Sequence, residues 1–180
     1  MSKIEEIDLT KKITKDHLLN ILKKEASHIS IKDIMMASAF LREDAKYMQK
    51  KYREDYIKRF TDAFFRRLRQ LKNDKTDYSG DLNTEKLGEM IHVLKNQEEE
   101  ALKKGNKNEL SFIKIAKIIP LYTTFIRQES IHPVGTIFPG GLRLRYKEGK
   151  YLCPVKEKQL KTPNALCRFC VSVQDESVKE

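Results

Sequence analysis

The stretch SIHPVGTIFPGGLRLRYKEGKYLCPV, residues 130–155, marks a change in the kind of polypeptide. Four of the seven glycines and four of the five prolines fall between residues 131 and 163. Such a density of turn formers breaks helices and predicts a loop-rich unit. Within it, LRLRYKEGKYLC (142–153) alternates apolar and basic residues around KEGK, the pattern of a β-hairpin with Gly149 in its turn. Downstream, PNALCRFCVSVQ (163–174) predicts a short terminal helix capped by Asn164.

Upstream of this stretch the chain has helical periodicity. A first helix is expected from about Thr14 to Ser27, capped by Thr14 or Asp16, with Leu18, Leu19, Ile21 and Leu22 inward. Ser30 can cap a second helical region over 31–72, continuous or broken once, which NDKTDYSGD (73–81) terminates. Asn83 caps a third helix that runs to Lys104 and is closed by Gly105. A fourth spans roughly 109–128, with Pro120 kinking or breaking it. The expected fold class is therefore mainly α. A bundle of about four or five helices (1–130) carries a small C-terminal loop and β-hairpin lobe (131–180), packed on it as one structural unit.

Composition narrows the function classes. The chain has 180 residues, 39% hydrophobic and 34% charged, enough for one ordinary domain with a real core. The most apolar run, FIKIAKIIPLYTTFI (112–126), is interrupted by Lys114, Lys117 and Pro120, which argues against a membrane span. No apolar leader opens the sequence, so a cytoplasmic protein is expected. The net charge of +10 is uneven, because residues 46–72 hold ten Lys or Arg against three acids.

On a helical wheel of this basic segment, Tyr52, Tyr56, Phe60, Phe64 and Leu68 form an apolar stripe joined by Ile57 and Leu71. The stripe is read as bundle core. Arg53 and Arg67 fall within or beside it, where they could pair with acids of another helix or face a pocket. Arg59, Arg66 and Arg69 lie on the opposite arc. These three are candidate contacts for nucleic-acid phosphates, weighed against an ordinary solvated face. The FPGG turn with Arg143 and Arg145 is a further candidate anion nest, weighed against a plain tight turn. His17, His28 and His92 stand alone on their segments and are read as surface or packing residues. The acids at 98–100 are read as i,i+4 partners of Lys103 and Lys104.

All three cysteines lie at 153, 167 and 170, the last two as CxxC. An odd number of thiols in a reducing compartment points away from disulfides. A lobe with few apolar residues gains order from a metal, whose binding free energy becomes folding free energy. Cys153 ends the hairpin, and Cys167 and Cys170 sit near the expected helix N-terminus, where the dipole favours thiolate. With His132 as fourth ligand the set is Cys3His, a known zinc combination. An iron–sulfur cluster, a redox CxxC and ordinary thiols are the alternatives.

With HPVGTIFPGG (132–141), CPVK (153–156) and NALCRFC (164–170) all in place, the chain resembles an uncharacterised archaeal family found mainly in methanogens. The resemblance is carried by residues 132–170. It implies an anaerobic, reducing cytoplasm, which suits zinc thiolates and iron–sulfur clusters alike, and it brings no activity with it.

Overall fold

The architecture was obtained as a computed structural model, which describes residues 2–138 and 140–178. It is mainly α-helical with a small three-stranded sheet near the C-terminus. Helix α1 (Lys15–Ser27) starts where the Thr14 hydroxyl accepts the His17 amide, and it buries Leu18, Leu19 and Leu22. Helix α2 (Ile31–Asp44) opens on a reciprocal capping box between Ser30 and Asp33.

The second helical region is broken once. A 3-10 turn (Ala45–Tyr47) and extended Met48 separate α2 from α3 (Lys50–Asn73). Arg53 stabilises the break by donating to the carbonyls of Lys46 (2.7 Å) and Met48 (3.0 Å), so it satisfies carbonyls and not the acid partner considered above. Helix α4 (Thr84–Lys104) is capped by Asn83 and closed by Gly105 in the left-handed region, φ 67°.

The fourth helical region is more divided than expected. Helix α5 (Lys107–Ala116) is capped by Asn106, α6 (Ile118–Leu121) is one turn long, and a π-helical segment (Tyr122–Arg127) follows. The break before α6 places Pro120 in a first turn, where its missing N–H has no intrahelical bond to lose. Glu98 does not pair along its own helix. It accepts from Lys117 at 2.8 Å, which ties α4 to the α5–α6 junction, while Lys104 pairs with Glu109.

The hairpin forms as β1 (Arg145–Lys147) and β2 (Lys150–Cys153), antiparallel, with Lys147 opposite Lys150. Glu148 (φ 51°) and Gly149 (φ 77°) occupy the turn with positive φ at both central positions, the type I′ geometry that suits strand twist. Two further elements were not foreseen. Helix α7 (Lys156–Leu160) follows β2, and β3 (Val173–Gln174) pairs parallel to β2.

The expected terminal helix is only a 3-10 turn, Leu166–Arg168, with Ala165 and not Asn164 at its N-cap position. Asn164 instead joins α4: its carbonyl accepts from Gln97 and its amide donates to Glu100. The lobe is anchored by Phe169, 2% exposed, which belongs to the same buried cluster as Leu18, Met90 and Tyr122.

Candidate metal centre

The cysteines arrive on three different pieces of backbone. Cys153 ends β2 and is buried, Cys167 sits in the 3-10 turn, and Cys170 follows it in a loop. His132 comes from the segment that leaves the π-helical turn. All four line one cavity of about 270 Å³, whose remaining wall is largely apolar and includes Phe60, Phe64, Phe112 and Leu166. The aromatic stripe of α3 thus divides. Phe64, Leu68 and Leu71 are buried as expected, yet Phe60 and Phe64 also line the cavity that holds the thiols.

Polar donors are aimed at two of the sulfurs. The Ile131 amide donates to Cys170 Sγ at 3.3 Å, and Ser172 Oγ lies 3.1 Å from the same atom. The Val155 amide is directed at Cys153. Backbone donors on sulfur favour the thiolate over the thiol. Lys156, which sequence reasoning passed over, donates to the carbonyls of Cys167 and, at 3.0 Å, Cys170, and so holds the CxxC backbone against α7. Its position three residues after Cys153 in CPVK was the available signal.

Burial opposes ionisation. It pushes the Cys153 and Cys167 thiols up, with neighbouring thiols adding to the effect. The expected help from a helix dipole is absent, since Cys167 lies in a single 3-10 turn with almost no macrodipole. Burial, with the Arg67 charge, drives the His132 imidazole down to about 4, so the ring is neutral near pH 7. It packs edge-on against Phe60 (6.2 Å between centroids) and Phe138 (5.5 Å). Among the described residues, no group of three or more His, Cys, Asp or Glu side chains stands close enough to hold a metal ion as placed. The four candidates share a cavity but do not form a finished cage.

The candidate basic residues scatter. Arg59 chelates Asp55 through Nε at 2.9 and 3.0 Å, and with Arg66 it lines a second, polar cleft. Arg69 is exposed outside that cleft. Arg143 reaches Asp55 only at 3.9 Å. Arg145 makes a two-pronged pair with nearly buried Asp175, 2.6–3.0 Å, which braces β1 against β3. In the FPGG turn, Pro139 lies outside the described residues. The Gly141 amide donates to the Phe138 carbonyl at 3.0 Å, so it is spent within the turn. Gly141 (φ 80°) also has the Tyr52 hydroxyl against it, where a Cβ would sit 3.1 Å from the oxygen.

A family described as "Uncharacterized protein conserved in archaea" (DUF2115) matches residues 14–175, nearly the whole chain and every candidate ligand. The chain belongs to this family. A UPF0305 protein of Methanothermobacter thermautotrophicus is 51% identical over 92% of this chain and 99% of its own length. Another, of Methanocaldococcus jannaschii, is 34% identical over 90% of this chain and 97% of its own. A third, of Methanococcus maripaludis, is 31% identical over 83% and 90%. No solved structure matches the chain. Among the described residues, no helix is long and apolar enough to cross a membrane.

Proposed function

We propose that the C-terminal lobe of this archaeal family protein binds one thiophilic metal ion, zinc first, and that the protein serves an interaction or regulatory role through the lobe so ordered. Cys153, Cys167 and Cys170 are the thiolate ligands and His132 the fourth. The observation that carries this reading is the convergence of every cysteine and His132 on one cavity. Amides aimed at sulfur and a neutral imidazole are the chemistry a zinc site uses. Metal capture draws Cys167 and Cys170, carried on a 3-10 turn and loop, towards Cys153 on β2 and releases the thiol protons. Metal analysis with a visible spectrum of anaerobically purified protein tests this. One zinc per chain and no absorption above the protein band is the expected result. Iron with visible absorption would transfer the site to a cluster. Absence of metal, with three freely titratable thiols and no uptake of added zinc, would overturn the reading.

A further inference from the structure

The second cleft, about 570 Å³, runs along the face of α3 adjacent to the one that meets the thiols. It carries Lys58, Arg59, Arg66 and Arg67 against Asp55, Asp62 and Glu129. Two of those acids are already matched. Asp55 is chelated by Arg59, and Glu129 accepts from Arg67 at 2.9 Å on one oxygen and from Arg127 at 2.9 Å on the other. Lys58 and Arg66 have no carboxylate within ion-pair distance among the described residues. In the lining four cations face three acids, Asp62 being the one acid without an ion-pair partner among the described residues. Arg127 and Arg143 reach the matched acids from outside the lining, so the cleft keeps an excess of positive charge.

Its geometry is built by the backbone. The π-helical turn ends at Gln128, a non-glycine residue at φ 54°, and the Glu129 amide returns to the Thr123 carbonyl at 2.9 Å. This fixes Glu129 between its two arginines and sends Ser130 back to accept from Arg67 at 3.0 Å. Gly135, at φ 89°, leaves the space that Arg59 fills, since a Cβ there would stand 3.3 Å from its guanidinium. The Tyr151 ring and the Pro133–Val134 pair supply an apolar rim.

We infer that this cleft is a binding site for a small phosphorylated molecule, with Arg66 and Lys58 as its phosphate contacts and Arg67 and Arg59 as positioned guanidinium walls. Guanidinium forks match phosphate oxygens in pairs, and the volume is that of a small-ligand site. Lys58, Arg59, Arg66 and Arg69 are all solvent-exposed, but the first three converge on one recess with Arg67 and Arg69 does not, which favours a small ligand over a polymer spread along the helix.

Calorimetric titration of the full chain with pyrophosphate tests the assignment. One site per chain is expected, weakened at least tenfold by Arg66→Ala and by Lys58→Ala, and unchanged by Arg69→Ala. Equal losses from Arg66→Ala and Arg69→Ala would mean diffuse charge attraction and overturn the site. Undetectable pyrophosphate binding would overturn it too, as would a single-stranded oligonucleotide that binds tightly and is not displaced by pyrophosphate. The titration is independent of the metal, so its failure leaves the zinc reading standing, and the reverse also holds.

Discussion

Two recesses flank neighbouring faces of α3, and they are built in opposite ways. The thiol cavity has soft sulfurs set in an apolar wall, and its polar groups come from loops, short helical turns and the end of β2, with Gln97 added from α4. The polar cleft has hard, charged groups mounted mainly on a 24-residue helix, with Arg59 and Arg67 held by ion pairs and Lys58 and Arg66 left without them among the described residues. One short segment serves both. Ile131 and His132 face the thiols, while Pro133 and Val134 face the cleft. The difference teaches where order originates. In the cleft Arg59 and Arg67 are fixed by ion pairs, whereas the thiol cavity gathers its cysteines and His132 without placing them as a finished cage.

The largest effect expected on this contrast comes from the thiols. On the proposed metal reading, Cys153→Ser should lower zinc affinity by about a hundredfold or more in a chelator competition. His132→Ala should lower it by roughly tenfold to a hundredfold and loosen the lobe. Retention of full affinity by His132→Ala would remove that residue from the ligand set.

The aromatic stripe offers the next test. Phe64 is buried and stacks on Phe112 at 5.6 Å, so Phe64→Ala should cost about 3–5 kcal/mol in chemical denaturation. Phe60, half-buried at the cavity, should cost less, about 1–2 kcal/mol, because part of its ring already faces a void. Equal losses would show that the cavity wall is as tightly packed as the core.

Acid stability tests the helical frame at Asp74. Burial raises the Asp74 carboxyl, but hydrogen bonds from Tyr122 (2.7 Å), Thr76 and Tyr78 more than offset it and hold the group at about 2. A folded value below the ordinary 3.8 means that this stabilisation is complete above pH 4 and lost as pH falls through about 2. Asp74→Asn should therefore lower stability at neutral pH by roughly 2 kcal/mol and flatten the decline between pH 4 and 2. An unchanged acid profile would count against the network.

The smallest effect is expected in the hairpin. Glu148 sits at φ 51° without the freedom of glycine, so Glu148→Asn should stabilise the protein by about 0.5 kcal/mol, read as a small rise in denaturation midpoint. A loss of stability would mean that the Glu148 side chain contributes more than its backbone strain costs.

Sequence by itself determined the helical frame and where it stops. Thr14, Ser30 and Asn83 are caps whose side chains satisfy local amides, and Gly105 and Gly149 adopt left-handed backbone that only local chemistry requires. Those signals act over three or four residues and so can be read in one dimension. The change of character after Ser130 was legible for the same reason, as was the gathering of thiols in the lobe.

Tertiary structure alone decided the rest. Asn164 gave up its expected cap for contacts with Gln97 and Glu100, because a 3-10 turn docked on α4 leaves it beside that helix. Arg145 was committed to Asp175, thirty residues away, and the acid at 98 turned to Lys117 instead of its own helix. Of the polar cleft the sequence showed only the basic side, Arg59, Arg66 and Arg67 on α3; that Glu129 and Tyr151 close it could not be read, since those contacts have no fixed spacing. Long-range pairing is set by which surfaces meet when the core closes, and no local pattern encodes it.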